Sequence, residues 1–290
     1  MPLFTVKDLL QRAADDSYAV GAFNCNNMEI IQAIIGAAEA ENSPVIVQAS
    51  QGAIKYAGLE YIAVMALLAA EMTHIPVAVH LDHGTSFEQV VRCITRGFSS
   101  VMIDGSALPI KENIALTKEV VKIARAAGVS VEAELGRIGG VEDDISVEER
   151  DSFMTDPAEA EMFVEETRVD ALAVAVGTAH GKYRGRPAID FDRLERISKR
   201  VDVPLVLHGS SGVPETDIRR AVSMGVRKVN IDTDLREAFV TGIRETLKEF
   251  PDEIDPRKVL GPARDKMLAA VREKIRIFGS SGHAESAGNW

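Results

Sequence analysis

The sequence predicts an α/β fold, a (β/α)8 TIM barrel, from three observations. Short apolar, β-branched runs recur along the chain, each followed by an amphipathic stretch with helical spacing. There are eight such runs over roughly 250 residues, the count and span of a barrel of this kind. Nearly every run ends on a polar or ionisable residue, as parallel strands with a site at one mouth require. A doubly wound open sheet is the alternative. It usually has fewer strands and a glycine-rich first turn, and no G-x-G-x-x-G follows the first run.

Taken in order, the strands are expected at Ala19–Asn24, Val45–Ser50, Val77–His83, Ser100–Asp104, Ser130–Leu135, Ala171–Gly177, Leu205–His208 and Lys228–Asp232. The helices between them include MEIIQAIIGAAEAE (28–41), SFEQVVRCITRG (86–97) and IKENIALTKEVVKIARAAG (110–128), with apolar residues on one stripe. Gly97, Gly128 and Gly225 stand where helices should stop. Thr155-Asp156-Pro157 and Val213-Pro214 stand where helices should start. YIAVMALLAA (61–70) is half a membrane span in length and reads as a core helix. Further helices are expected at 234–249 and 262–277, around PDEIDPRKVLGP; this extension, about 250–278, would cover the barrel or meet a second subunit. One catalytic domain over 1–290 is the expectation, since no repeat or linker breaks the chain.

Composition sets the class of partner. The net charge of −11, from 33 basic and 44 acidic residues, argues against a nucleic-acid or anionic-membrane surface. Any phosphate must then be held locally, by backbone N–H groups or a few arginines. The two cysteines, Cys25 and Cys93, have no metal or redox spacing, so a reducing compartment is the default. The opening MPLFTVKDLLQRAADD carries charges throughout and makes no signal-peptide core. A cytoplasmic protein is expected.

The strand ends carry the chemistry. In chain order they offer Asn24, Ser50, Asp82 with His83, Asp104, Glu134, His180 just past the sixth strand, His208, and Asn230 with Asp232. Three of the six histidines (83, 180 and 208) therefore converge on one mouth with carboxylates nearby, the donor set of a catalytic Zn2+ site with open positions. A metal-free histidine base with an aspartate orienter is the competing reading; it needs one histidine and leaves two unexplained. His74 at a helix end, His80 lower in its strand and His283 in the tail have ordinary structural readings. His208-Gly209-Ser210-Ser211-Gly212 precedes a helix and can line an anion nest, and Asn230-Ile231-Asp232-Thr233 opens the next one. Plain turn chemistry is the rival for either loop. The segment GRIGGVEDDISVEERDSFMT (136–155) breaks the regular spacing, and a mobile loop at about 137–155 is expected. Gly139-Gly140 would be its hinge and Glu142 or Asp143 its cargo, with Glu148, Glu149 and Asp151 simply solvated. A Schiff-base route needs a desolvated lysine near the mouth, and Lys228 stands at the start of its strand, the wrong end.

AFNCNN (22–27), VHLDHG (79–84), SVMIDGS (100–106), VEAELGRIGGVEDD (131–144), AVGTAHGKY (175–183), LVLHGSSG (205–212), VNIDTDLR (229–236) and DPRKVLGPAR (255–264) together resemble the class II (zinc-dependent) fructose-1,6-/tagatose-1,6-bisphosphate aldolase family, over almost the whole chain. The resemblance implies zinc ligands at His83, His180 and His208, and carboxylates near the metal at Asp104 and Glu134, a second metal position in some members. It implies an acid at Asp82 acting on the aldehyde oxygen when C3–C4 breaks, and a mobile-loop residue at Glu142 exchanging a proton with the three-carbon fragment. Gly181, Gly209 through Ser211 (Ser210 between them) and Asn230 through Thr233 (with Ile231 and Asp232) match the dihydroxyacetone-phosphate cradle; carbonyls near Gly181, Gly209 and Ser211 would hold a monovalent cation, Na+ or K+. Asn24 and Ser50 match contacts to the far end of the substrate, and Arg257 an arginine reaching the second phosphate from a neighbouring subunit, hence a homodimer or larger. The expected activity is reversible cleavage of a ketose 1,6-bisphosphate, fructose rather than tagatose because Asp232 is acidic where tagatose-preferring relatives tend to carry a small residue. A zinc hydrolase on the same fold and a non-catalytic sugar-phosphate binder are the alternatives.

Overall fold

The computed structural model describes residues 3–142, 145–147, 153–183 and 185–284. In chain order its elements are α1 (Val6–Asp15), β1 (Val20–Asn24), α2 (Met28–Ala40), β2 (Val45–Ser50), α3 (Gln51–Ala57), α4 (Leu59–Met72), β3 (Val77–Gly84), α5 (Phe87–Thr95), β4 (Ser100–Ile103), α6 (Ile110–Ala126) and β5 (Ser130–Leu135). There follow β6 (Gly139–Glu142), β7 (Ile145–Val147), α7 (Pro157–Thr167), β8 (Ala171–Val174), β9 (Ala179–His180), α8 (Phe191–Ser198), β10 (Leu205–Leu207), α9 (Glu215–Ser223), β11 (Val226–Ile231), α10 (Thr233–Glu249) and α11 (Pro256–Phe278). Eight parallel strands close in the order β1-β11-β10-β8-β5-β4-β3-β2, the barrel that the alternation of runs predicts. Their residues are buried on both faces because helices cover the outside, which is why they read as unbroken apolar runs.

The barrel interior is layered. Val20, Ala22, Ile46, Ala78, Met102, Ala171, Ala173 and Val206 fill its lower part, and Val6, Leu9, Leu10 and Ala13 of α1 plug the bottom from below. That helix is started by a capping box: the Asp8 N–H donates to Thr5 Oγ1 (3.1 Å) and the Thr5 N–H to Asp8 Oδ2 (3.0 Å). Above the apolar layer, two residues further along the same strand faces, the interior turns polar with Asn24, Gln48, His80, Glu132 and Lys228, all buried. A larger apolar shell lies between sheet and helices.

Three differences from expectation have physical causes. The last helix starts at Pro256, not 262, because Asp255 caps it by accepting from the Arg257 N–H (3.0 Å) and Pro256 takes the first turn, where no N–H is needed; Pro262 is carried inside. β11 starts at Val226, two residues before the expected Lys228, directly after the Gly225 turn. In α4 one face is core (Ile62, Ala63, Ala66, Ala70), but Tyr61, Val64, Leu68 and Met72 point outward, from 51% to 78% exposed, so its apolar run is two-faced.

Candidate active site

The local geometry of β3 explains how VHLDHG delivers two neighbours to one mouth. Successive strand residues point to opposite faces, so Asp82 and His83 should diverge. Instead the β3–β4 register slips between Leu81 and Gly84, and His83 takes a left-handed backbone at φ 49°. This bulge turns His83 inward beside Asp82, at a backbone conformation that a non-glycine residue adopts only under constraint. The two side chains approach to 4.0 Å (His83 Nε2 to Asp82 Oδ1).

His83, His180 and His208 meet there, all buried, with a nitrogen of each within 4.8 Å of the others. His83 Nε2 and His208 Nδ1 are 3.0 Å apart. Two ring nitrogens so close can share one cation, either a proton or a metal ion that the three imidazoles would hold together. Burial, then the charge on His83, hold His180 neutral by lowering its pKa to about 3; the same two causes hold His208 well below the ordinary histidine range. At His83 burial also opposes charge, but Asp82, the hydrogen bond to Asp104 and Glu134 outweigh it and push its pKa well up. The pocket therefore attracts positive charge, and a metal cation satisfies the same field as a proton. The donor set fits zinc, and His83, Asp104 and Glu134 form a second group of compatible spacing. His83 Nδ1 lies 3.3 Å from Asp104 Oδ2 and 3.9 Å from Glu134 Oε2. Burial and the neighbouring Asp104 push Glu134 well above the usual carboxylate range, whereas Asp104, although buried, is held well below it by His83 and Ser106.

Asp82 is fully buried and held by three amides. Asn24 Nδ2 (2.9 Å) and Gln48 Nε2 (3.1 Å) donate to Oδ2, and Asn230 Nδ2 (3.1 Å) to Oδ1. Burial opposes its ionisation, yet His83, His208 and Lys228 with the Asn24 bond keep it below the ordinary range, as a carboxylate. Ser50 pairs in register with Asp82 across β2–β3 and caps α3 by accepting from the Ala53 N–H (3.2 Å).

The loops around His180 are built by close approach. Gly140 of β6 pairs with His180 of β9, and a Cβ on Gly140 would lie 2.1 Å from the His180 carbonyl oxygen. On the opposite side, a Cβ on Gly209 would lie 2.6 Å from the Ala179 carbonyl. Only glycine fits at either place, and both have positive φ. The Tyr183 hydroxyl ties the two loops, accepting from the Ala179 N–H (2.7 Å) and donating to the Gly209 carbonyl (2.7 Å). In the glycine–serine loop, Ser210 Oγ donates to the Leu207 carbonyl (3.2 Å), and the Asp234 N–H donates to Ser211 Oγ (3.3 Å). The Gly212 N–H is taken by Asp234 Oδ2 (3.3 Å), so the N–H groups that could face an anion belong to the residues before it. Asp232 is buried and pairs with Arg236 Nε (2.7 Å), ahead of Thr233 at the start of α10. Gly181 follows β9 at φ 81°, and Ile231 closes β11 against Phe23 of β1.

Two expected residues are not among those that meet in this cluster as described. Glu142 ends β6, and its side chain, like Asp143, lies outside the described residues. Arg257 is 90% exposed and paired with Asp255 (2.7 Å). Three residues were missed or set aside by the sequence reading: Gln48, Glu132 and Lys228. Lys228 is not at the wrong end of its strand; it lies inside the barrel, with Nζ 2.8 Å from Glu132 Oε2. The signal available was periodicity, since each precedes a recognised mouth residue by two positions (Ser50, Glu134 and Asn230) and so shares its inward face.

The comparisons with known proteins agree with this geometry. The family described as "Fructose-bisphosphate aldolase class-II" matches residues 4–283. The chain is 48% identical to the fructose-bisphosphate aldolase of Thermus caldophilus, covering 97% of this chain and 100% of that protein. It is 47% identical to the probable fructose-bisphosphate aldolase of Bacillus subtilis (strain 168), covering 98% and 100%. The crystal structure of the YdjI aldolase from Escherichia coli K12 superimposes with a TM-score of 0.87 at 35% identity, over 98% of this chain and 100% of that one. With a barrel of the expected topology, a three-histidine centre and a family match spanning nearly every residue, the chain belongs to the class II fructose-bisphosphate aldolases.

Proposed function

We propose that this aldolase cleaves fructose 1,6-bisphosphate reversibly to dihydroxyacetone phosphate and glyceraldehyde 3-phosphate, with one Zn2+ held by His83, His180 and His208. The observation that carries this reading is the convergence of three buried imidazoles beside a carboxylate kept ionised. Zinc bound there supplies Lewis-acid stabilisation of the negative charge that develops on the three-carbon half. Asp82 takes the proton of the C4 hydroxyl as the C3–C4 bond breaks, and its three amide donors fix the direction in which it accepts. Glu142 returns a proton to C3 of the departing fragment. Asp104 and Glu134 lie where a second metal position would be; Gly181, Gly209, Ser210, Ser211 and Asn230 through Thr233 cradle the ketone-side phosphate, with loop carbonyls for a Na+ or K+ ion. A Schiff-base route is disfavoured because the lysine buried in the barrel, Lys228, is engaged by Glu132. The exposed Arg257 and the apolar outward face of α4 support a homo-oligomer in which Arg257 serves a neighbouring site.

Sugar preference tests the substrate assignment. The fructose and tagatose bisphosphates differ at C4, and a carboxylate accepting from one substrate hydroxyl contributes about 1.5–3 kcal/mol, or roughly tenfold to a hundredfold in kcat/KM. Fructose 1,6-bisphosphate should be preferred by that factor, and Asp232→Ala should narrow the gap. Equal kcat/KM for the two sugars, or a tagatose preference, contradicts the assignment.

A further inference from the structure

Beneath the three histidines lies a buried polar group that the reaction does not use directly. Glu132 of β5 is completely shielded from solvent, and so are His80, His208 and Lys228 around it. Its two oxygens are divided between tasks. Oε1 accepts from His208 Nε2 at 2.9 Å, while Oε2 faces Lys228 Nζ at 2.8 Å and His80 Nε2 at 3.6 Å. His80 is in turn fixed from its other nitrogen by Ser100 Oγ at 2.8 Å. A carboxylate removed from water costs several kcal/mol unless its charge is balanced and its lone pairs are filled. Lys228 supplies the balance and His208 fills one oxygen.

The contact to His208 has a direction. A carboxylate oxygen accepts, so Nε2 of His208 is the protonated ring nitrogen, and the lone pair is left on Nδ1. Nδ1 is the nitrogen that faces His83 Nε2 at 3.0 Å, on the metal side. Asn230 Nδ2 sits 3.3 Å from both ring nitrogens and does not discriminate between them. We propose that Glu132 is a positioning residue: it fixes the tautomer and ring orientation of His208 so that Nδ1 is presented to the metal, and Lys228 holds Glu132 in place. The inference rests on His208 being a metal ligand, and His208→Ala tests that separately: it should bind zinc at least 100-fold more weakly, and unchanged binding would remove the premise and not only the refinement.

The direct test compares two double variants that are both uncharged and similar in volume at the pair. Glu132→Gln with Lys228→Met keeps an oxygen able to accept from His208 Nε2; Glu132→Leu with Lys228→Met removes it. Replacing a buried ion pair by packed apolar groups is usually tolerated, so both should fold. Zinc affinity of the purified full-length protein is read by competition with a chromogenic chelator. The Gln/Met variant should bind within about threefold of the unmodified chain and the Leu/Met variant 10–100-fold more weakly, the usual cost of losing such a partner. Equal affinities in the two overturn the proposal. A long-range 1H–15N spectrum of the unmodified metal-free protein gives a check that depends on no substitution: His208 should carry its proton on Nε2, and an Nδ1–H tautomer overturns the proposal.

Discussion

Gly140→Ala is the substitution whose consequence follows most directly from the geometry. Gly140 has φ 102° and lies against the backbone of His180, where an added Cβ would be 2.1 Å from the carbonyl oxygen and 2.6 Å from the nitrogen. Non-bonded Cβ contacts under 3.0 Å essentially never occur, so the two backbones must part by at least 0.9 Å, the difference between 3.0 and 2.1 Å. An L side chain at that φ adds strain on the order of 1–3 kcal/mol. His180 cannot yield toward the other side, because Gly209 already presses on Ala179 and Tyr183 pins the two loops together. Misplacing a catalytic group by about 1 Å costs roughly 100-fold in rate, equivalent to about 2.7 kcal/mol. Steady-state assay of fructose 1,6-bisphosphate cleavage should therefore show kcat about 100-fold lower in Gly140→Ala, with the far-UV circular dichroism spectrum unchanged. A kcat within threefold of the unmodified enzyme would refute the close-approach argument and return Gly139-Gly140 to a hinge.

Glu142→Ala should slow proton exchange at C3 of dihydroxyacetone phosphate by at least 100-fold while zinc affinity holds within threefold; an unchanged exchange rate would strip the loop of its proton-transfer role. Acid stability should depend on Glu41, which accepts from Arg272 Nε (2.8 Å), Arg276 Nη2 (2.7 Å) and Ser281 Oγ (2.9 Å) and ties α2 to the last helix. Its bond from Arg276, first among these causes, lowers its pKa from 4.5 to about 2; the resulting stability is present above pH 4.5 and lost as pH falls toward 2. The exposure of Arg276 reduces the full linkage value, leaving about 1–2 kcal/mol. The Tm gap between the unmodified chain and Glu41→Gln should thus narrow from pH 4.5 downward and close near pH 2, and a gap undiminished at pH 2 contradicts it.

The barrel and the rim of the site were legible in the sequence because both rest on local signals. Each strand is a short apolar run, and most lead into a polar residue at the mouth, so Asp82, His83 and His208 at strand ends and His180 just past the sixth strand could be grouped by position alone. The tier beneath them was not legible in the same way. Glu132 and Lys228 sit inside apolar strands, and their pairing depends on which strands face each other across a closed barrel, information no window of sequence holds. Lys228 in particular reads as a strand-start lysine at the wrong end for the mouth until the register of β11 shows it pointing inward. The His83 bulge was hidden for a different reason: VHLDHG has an unremarkable composition, and the extra residue appears only when β3 is aligned with β4. Gly140 was visible as a glycine, but the close approach that requires it was not, because the constraint is the backbone of a residue forty positions later.

On the proposed function, cleavage depends on zinc held by the three-histidine centre. The most direct measurement is metal content against fructose 1,6-bisphosphate cleavage as chelator strips the unmodified enzyme and Zn2+ is added back. Activity and bound zinc should fall together, return together at about one ion per chain, and return in neither respect for His208→Ala. Cleavage that persists in the metal-free protein would contradict it.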